Sequence, residues 1–246
     1  MKKRLTPMHL RRRDILMAGS ALAALPLLSS LPVLAQTPAD TKIAVVGSGR
    51  LGGAVGTIFA KAGYKVMFSS RHPEQLKNLV ADAGPNASAG SVQEAIAFGN
   101  IILLAVPYKA LPDVGREHGA AMKGKIVLDA CNPIPSRDGE IGNEGQKNGP
   151  GETTLKYLPG VRLVRAFNSF GARSFATEGH RSGEKIGVPL ASDDQEALKI
   201  TEKLVRDLGF EPVSVPLARG REFAPPAPLF TRALPVSQLK KELGIQ

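Results

Sequence analysis

Short apolar runs alternate with stretches of helical periodicity along most of the chain. The runs have almost no polar interruption, which is typical of strands buried on both faces of a parallel sheet. We predict strands over Lys42–Val46, Lys65–Ser69, Ile101–Val106, Lys125–Asp129, Arg162–Ala166, Ile186–Ala191 and Glu211–Val215. We predict helices over Leu51–Ala62, Pro73–Ala83, Val92–Phe98 and Asp194–Leu208. This pattern predicts an α/β protein with a doubly wound parallel sheet and a small C-terminal α/β extension.

A glycine-rich turn follows the first predicted strand and reads Gly47-Ser48-Gly49-Arg50-Leu51-Gly52. In a Rossmann-type unit the first glycine makes the tight turn, the second lets the backbone approach a pyrophosphate, and the third lets the helix pack close to the strand. The phosphates lie at the positive N-terminal end of the following helix. The apolar strand before the turn and the helical pattern after it favour a dinucleotide site over a merely structural turn. We predict that all six residues bind the cofactor.

The end of the second predicted strand, Ser69-Ser70-Arg71, bears on which dinucleotide is bound. Enzymes that select NAD usually carry Asp or Glu about twenty residues after the glycines, and this segment has neither. Two hydroxyls and a guanidinium suit the 2′-phosphate of NADP, which accepts charge-assisted hydrogen bonds. The alternative is that Arg71 is a solvated turn residue before His72-Pro73. The residue types favour NADP as the cofactor, bound by Ser69, Ser70 and Arg71.

Residues 1–35 have the pattern of an export signal. Lysines and arginines at positions 2–4 and 11–13 precede an apolar run over residues 15–34. The run is followed by a cleavage site of the small-residue type that ends at Ala35. Arg12-Arg13-Asp14-Ile15-Leu16 resembles the twin-arginine signal, whose machinery exports folded proteins, often with a cofactor bound. We expect cleavage and a periplasmic or otherwise exported protein. The alternative is an uncleaved membrane anchor, because the run is nearly long enough to span a bilayer.

The net charge of +10 is partly a property of this leader. Its six Lys or Arg and one Asp leave +5 on residues 36–246, which suits an anionic cofactor. No basic run carries interleaved aromatic residues, so no nucleic-acid partner is expected. Cys131 is the only cysteine, and His72, His118 and His180 are widely spaced. We therefore predict no disulfide and no metal site, and expect these histidines at the surface.

The exported part divides into four predicted segments. Residues 41–134 are the NADP-binding Rossmann domain, and residues 161–216 are a C-terminal α/β portion. Between them Pro133–Gly151 is polar and rich in Gly and Pro, which predicts a loop or flap over residues 135–160, beside the ligand-binding edge of the sheet. Residues 217–246 are a tail with one short predicted helix, Val236–Leu243.

Several blocks of sequence from Thr41 to about Val215 carry a family resemblance. They read GSGRLGGAVGTIFAKAGYKV, FSSRHPEQL, IILLAVPYKAL, GKIVLDACNPI, LVRAFNSFGA and ASDDQEALKITEKLVRDLGFEPV. Together they resemble the NADP-dependent deazaflavin-coenzyme reductase family, and are similar to the cytoplasmic oxidoreductase domain of the six-transmembrane metalloreductases. The resemblance implies that the glycine turn holds the pyrophosphate and that Ser70 and Arg71 bind the 2′-phosphate. It also implies that Val106-Pro107 and Asn132-Pro133 line the nicotinamide end. The leader, the segment after Pro133 and the tail depart from the family pattern.

The resemblance implies hydride transfer between NADP(H) and a flavin or deazaflavin acceptor, a small-molecule redox partner. Hydride transfer between two aligned rings requires no side-chain acid or base. The sequence shows no Ser-His-Asp, Cys-His or paired-carboxylate pattern, so we predict no catalytic residue. Asp129 is equally well explained as a capping residue, and Cys131 as a small packed side chain.

Two other functions stay open at this point. One is reduction of an imine or ketone, which normally needs an added helical dimerisation domain. The other is an exported NADP-binding module or sensor without turnover. A homodimer is also left open as a partner arrangement.

Overall fold

Eight strands form one sheet in the computed structural model, which describes residues 40–245. They are β1 (Lys42–Val46), β2 (Lys65–Ser69), β3 (Ala87–Gly90), β4 (Ile101–Leu104), β5 (Ile126–Asp129), β6 (Arg162–Arg165), β7 (Gly187–Ala191) and β8 (Glu211–Val215). Their spatial order is β3-β2-β1-β4-β5-β6-β7-β8. Neighbours are parallel except β6 and β7, which are antiparallel. The predicted leader with Arg12 and Arg13 lies outside the described residues.

Helices pack on both faces of this sheet. They are α1 (Arg50–Lys61), α2 (Lys77–Ala83), α3 (Val92–Phe98), α4 (Leu111–Met122), α5 (Pro135–Asn148), α6 (Pro150–Tyr157), α7 (Ala172–Glu178), α8 (Gln195–Asp207) and α9 (Val236–Glu242). Short 3-10 segments occupy Pro73–Leu76, Tyr108–Ala110 and Leu217–Phe223. The order of the first six strands is that of a Rossmann fold, so the predicted fold class is confirmed. Over residues 40–245, no helix combines the length and apolar character needed to cross a bilayer.

The sheet separates two apolar cores, because successive residues of a strand point to opposite faces. In β1, Ile43 and Val45 pack with Phe59 of α1, whereas Ala44 and Val46 pack on the other face with residues of α3 and α4. The four β1 residues are at most 2% exposed. Burial on both faces explains why the predicted strands read as uninterrupted apolar runs.

The loop or flap predicted over residues 135–160 is wrong. α5 and α6 occupy most of this segment, with a bend in α5 at Gly139, where φ is 59°. The glycines allow close packing and do not break the helix: a Cβ at Gly145 would lie 2.5 Å from the Tyr108 ring and 2.8 Å from Pro133 Cβ. Pro135 stands in the first turn of α5, where its missing N–H costs nothing. Contacts with distant residues therefore form these helices against their local composition.

Outside residues 135–160, β3, α4 and α7 also have no counterpart among the predicted elements. β3 reads Ala-Ser-Ala-Gly, a composition of low strand propensity, and is held by its parallel pairing with β2. α4 contains Gly115, where a Cβ would overlap the carbonyl oxygen of Tyr157 in α6. A glycine that weakens the helical signal in the sequence thus permits the packing of α4 on α6.

Candidate dinucleotide-binding site

A cavity of about 900 Å³ lies at the carboxyl edge of the sheet, beside the turn between β1 and α1. It is lined by predicted site residues that follow three different strands: Gly47, Ser48, Gly49, Ser69, Ser70, Arg71, Val106 and Pro107. Arg50, Leu51 and Gly52 continue into α1 and do not line it, and Asn132 lies outside it. Ligands of open α/β sheets bind at this edge, where the strand order reverses between β1 and β4.

The three glycines of the turn differ in what requires them. Gly47 has φ +97°, and a Cβ there would lie 2.6 Å from the carbonyl oxygen of Ala105. A Cβ at Gly52 would overlap the carbonyl oxygen of Gly47. At Gly49, by contrast, a Cβ would meet no protein atom within 4 Å, and the backbone is extended. The fold therefore needs Gly47 and Gly52, whereas no contact with the described residues requires a glycine at position 49.

The N-terminus of α1 is suited to a phosphate. Gly49 caps the helix without any side-chain hydrogen bond, and the first turn contains no acidic residue. The first N–H groups of a helix have no intrahelical partner and carry its positive dipole end. Ser48 Oγ is buried and has no hydrogen-bond partner among the described residues. The open space at Gly49 and these donors together fit a pyrophosphate.

The three residues at the end of β2 are not equally free to bind a ligand. Ser69 is 2% exposed, and its hydroxyl donates to the carbonyl oxygen of Val45 at 2.8 Å, which uses its one hydrogen. Ser70 Oγ accepts from the backbone N–H of His72 at 3.0 Å, which leaves its O–H to donate. Arg71 is exposed at the cavity. Ser70 and Arg71 thus keep donors for an anion, while Ser69 supports the strand end.

A buried ion pair lies at the carboxyl ends of β5 and β6. Asp129 and Arg165 are register neighbours, both side chains are fully buried, and Arg165 Nη1 lies 2.8 Å from Asp129 Oδ2. Asp129 also accepts from Thr154 Oγ1 at 2.8 Å and from the backbone N–H of Cys131 at 2.9 Å. Asp129 therefore caps the turn after β5, which is the capping role considered for it in the sequence analysis. It does so within a buried charge cluster.

Asn132 is joined to this cluster by its side-chain amide. Its Oδ1 accepts from Arg165 Nη2 at 3.1 Å and from Asn168 Nδ2 at 3.2 Å, and its Nδ2 donates to the carbonyl oxygen of Asn168 at 2.7 Å. Asn168 follows Phe167, a fully buried residue with φ 60°. Such a left-handed conformation is uncommon for a bulky residue. The loops after β5 and β6 are thus held together by side-chain amides.

Cys131 is enclosed beside the same cluster. It is 2% exposed, and its Sγ donates to the carbonyl oxygen of Leu104 at 3.4 Å. Burial, reinforced by the charge of Asp129, raises the pKa of the Cys131 thiol. The thiol is therefore protonated and packed. In the part of the chain that the structure describes, no group of three His, Cys, Asp or Glu side chains is placed to hold a metal ion.

Residues 42–133 match the sequence model of a family described as NADP oxidoreductase, coenzyme F420-dependent. The match covers less than half of the chain. The stretch runs from β1 to just past β5 and contains the glycine turn and every predicted residue that lines the cavity. The resemblance carried by the sequence blocks is thereby confirmed for this family domain.

Solved structures extend the likeness beyond the family domain. A hypothetical protein of Sinorhizobium meliloti matches with a TM-score of 0.69 and 25% identity over 79% of this chain and 95% of that one. A candidate F420-dependent NADP reductase of Arthrobacter sp. FB24 matches with a TM-score of 0.62 and 19% identity over 83% and 96%. An imine reductase of Bacillus cereus BAG3X2 has a TM-score of 0.52 and 16% identity, over 73% of this chain and 56% of that one.

Among curated proteins, an NAD(P)+ glycerol-3-phosphate dehydrogenase of Rhizobium etli (strain CIAT 652) is 32% identical over 102 residues. The match covers 37% of this chain and spans about a third, 31%, of that relative's length. The family that residues 42–133 match is one of NAD(P)-dependent oxidoreductases, which use a nicotinamide cofactor.

The family domain contributes one wall of the cavity that the sequence interpretation missed. The lining residues of this wall are Lys109, Ala110, Asp113, Val114, Glu117 and His118. Their repetition every four residues places them on one helix face, and this spacing is the signal that could have revealed them. Arg116 pairs with Asp113 at 2.7 Å and with Glu117 at 3.0 Å. His118, expected at the surface, has a side chain that is 23% exposed and faces the cavity.

Proposed function

We propose that this chain binds NADP(H) and passes a hydride between the nicotinamide and a flavin or deazaflavin acceptor. The observation that carries the proposal is the empty space at Gly49, a glycine that no protein contact requires, at the N-terminus of α1. A pyrophosphate is the ligand that such a turn accommodates in a Rossmann fold. The family description of residues 42–133 supports the same cofactor class.

The residues after β2 support NADP over NAD. Ser70 and Arg71 line the cavity with a hydroxyl donor and a guanidinium, and no acidic residue stands in Ser69–Arg71. A 2′-phosphate would accept charge-assisted hydrogen bonds from both, whereas a bare ribose would gain nothing from the cation. In this proposal Ser70 and Arg71 hold the 2′-phosphate, and the turn from Gly47 to Gly52 holds the pyrophosphate.

The nicotinamide ring, when bound, supplies or accepts the hydride. The contribution of this chain is to position the ring and to keep water away from it. Val106 and Pro107 form part of the cavity wall at the end of β4. Cys131 is buried with a raised thiol pKa, and Asp129 is fully paired in the buried cluster, so neither is set up to exchange a proton with substrate.

The structure after β6 bears on the alternative of an imine reductase. The chain returns to the sheet as β7 and β8, with α8 between them. The match to the Bacillus cereus imine reductase covers 56% of that chain, so a large part of it has no counterpart here. The proposal therefore favours a flat-ring acceptor over an imine or ketone.

We further propose that the protein is exported in the folded state by the twin-arginine machinery, with NADP bound before export. This part rests on the leader sequence, Arg12-Arg13-Asp14-Ile15-Leu16. Binding before export would account for a cofactor in a compartment that does not replenish it. Mass spectrometry of the purified exported protein tests it, with NADP as the expected co-purifying species.

The activity is tested by mixing the purified protein with NADPH and a panel of flavins and deazaflavins, with imines and ketones as controls. We expect NADPH oxidation with one or more of the flat-ring acceptors and none with the controls. A Cys131→Ser variant should lose less than about tenfold in rate, below the usual contribution of a general acid or base. Tight NADPH binding without turnover on any acceptor would overturn the enzyme proposal in favour of a non-catalytic NADP-binding module.

A further inference from the structure

The cavity wall at α4 carries two rows of side chains, and within each row the residues stand four positions apart. Ala110, Val114 and His118 form one row, and Lys109, Asp113 and Glu117 form the other. The second row is exposed, and nitrogens of Arg116 lie 2.7 Å and 3.0 Å from its two carboxylates. The first row is half-buried. Two of its members are apolar, so the imidazole of His118 is the polar group of this row.

Two apolar side chains from other elements line the same cavity. Leu76 lies in the 3-10 segment after β2, and Val92 is the first residue of α3. Leu76 packs against the core on one face of the sheet, whereas Val92 and Val114 pack against the core on the other face. All three are half-buried, so the core holds one side of each and the other side is open to the cavity. We call Leu76, Val92, Ala110 and Val114 the apolar slot.

The proposed position of the 2′-phosphate indicates which part of the dinucleotide lies near the apolar slot. In that proposal Ser70 and Arg71 hold the phosphate on carbon 2′ of the adenosine ribose. The base is attached to carbon 1′, the adjacent ring carbon, so it lies beside the end of β2 as well. The pyrophosphate is attached to carbon 5′ and extends toward Gly49. Leu76 follows Arg71 closely in the chain, which favours the apolar slot as the place of the base.

His118 adds hydrogen-bonding groups to this apolar surface. Its side chain is 23% exposed, and neither ring nitrogen forms a hydrogen bond with the described residues. Nε2 lies 4.0 Å from Glu117 Oε2, which is beyond hydrogen-bond distance. A neutral imidazole carries its proton on one nitrogen and accepts at the other. The nearby carboxylate favours the proton on Nε2, which leaves Nδ1 as an acceptor.

We propose that the apolar slot binds the adenine base and that His118 is a specificity-determining residue, which accepts a hydrogen bond from the 6-amino group of the ring. Apolar walls with one placed polar group are the usual construction of a small-molecule site. The 6-amino group is a donor, whereas a 6-oxo group in its place is an acceptor and would face Nδ1 unfavourably. This inference rests on the proposed dinucleotide site.

The test compares two ligands by calorimetry: NADP+ and its hypoxanthine analogue, in which a 6-oxo group replaces the 6-amino group. The unmodified protein should bind NADP+ about threefold to tenfold more tightly than the analogue, the value of one neutral hydrogen bond. His118→Phe keeps a flat ring beside the slot and removes the acceptor. It should weaken NADP+ by about the same factor and leave the analogue unchanged, so that the two ligands bind alike.

Two variants provide the controls. His180 is exposed and does not line this cavity, so His180→Phe should leave both affinities unchanged. Val114→Ala should weaken both ligands equally, because packing against the ring faces does not depend on the 6-substituent. Equal affinities of the unmodified protein for the two ligands would overturn the proposal without any variant, and so would discrimination that persists in His118→Phe. If the unmodified protein binds neither ligand, the dinucleotide site itself is refuted, which is a different outcome from these.

Discussion

Replacing Gly49 by valine separates the needs of the ligand from those of the fold. Gly49 has φ −75° and ψ −161°, an extended conformation that valine adopts readily, and its Cβ would meet no protein atom within 4 Å. The only expected cost to folding is a poorer helix cap, because valine is a weak N-cap residue. That cost is about 1 kcal/mol.

The expected cost to the ligand is much larger. The valine side chain would occupy the open space in which a pyrophosphate meets the first N–H groups of α1. Loss of two hydrogen bonds to a charged group costs about 3–6 kcal/mol, and each 1.4 kcal/mol is about tenfold in the dissociation constant. We expect Gly49→Val to weaken NADP+ binding by about a hundredfold or more.

Two other glycines provide the controls. Gly171 also caps a helix, α7, in an extended conformation with open space around its Cβ, and it does not line the cavity. Gly171→Val should match the small loss of stability of Gly49→Val and leave binding unchanged. Gly52→Ala should fail differently, because its methyl group would overlap the Gly47 carbonyl oxygen and destabilise the fold.

Urea unfolding measures the stability of each variant, and calorimetry with NADP+ measures binding. Retained affinity in a folded Gly49→Val variant would refute the argument, because the space at Gly49 would then serve no phosphate. A large loss of stability in the same variant would also contradict it, since a Cβ at position 49 has no described protein atom within 4 Å with which to clash.

Three further outcomes are expected. Arg71→Ala should weaken NADPH by about 1.5–3 kcal/mol and leave NADH unchanged; equal losses in titrations with both would place the 2′-phosphate elsewhere. Asp194→Ala should lower stability to urea by about 1 kcal/mol at pH 7, because Asp194 caps α8. Its hydrogen bonds with Arg162 hold the pKa of Asp194 at about 2, below the unfolded value of about 3.9. This contribution is therefore present above about pH 4 and lost as the pH falls through 2, and a constant difference down to pH 2 would contradict it. Replacing Arg12 and Arg13 by Lys should leave precursor in the cytoplasm, and fractionation that recovers processed protein outside the inner membrane would defeat the twin-arginine proposal.

The fold class could be predicted because its signals are local. A strand buried on both faces must be apolar at every position, and β1 and β4 read that way in the sequence. The turn from Gly47 to Gly52 could be placed for the same reason, since a strand, a turn and a helix follow one another directly. The predicted site residues stand at the ends of three strands, and the cavity lies at the edge of the sheet where those strand ends meet.

Composition misled where contacts between distant residues determine the structure. The glycines of α5 indicate a loop by propensity, yet Gly145 is small because the Tyr108 ring and Pro133 lie against it. The cavity wall on α4 could not be predicted from composition, because glycines weaken the helical pattern of that segment. These glycines pack against other elements, as Gly115 does against Tyr157.

The sequence by itself determined the type of fold, the order of its main elements and the position of the nucleotide turn. Only the tertiary structure showed that Gly49 differs from Gly47 and Gly52, because the difference lies in which atoms of other segments surround each Cβ. Only the tertiary structure showed the hydrogen bond between Arg165 and Asn132. These residues are 33 positions apart and meet because β5 and β6 are neighbours in the sheet. Local pattern encodes which face of an element is buried, whereas the partner of a buried polar group depends on strand order and register, which no local pattern contains.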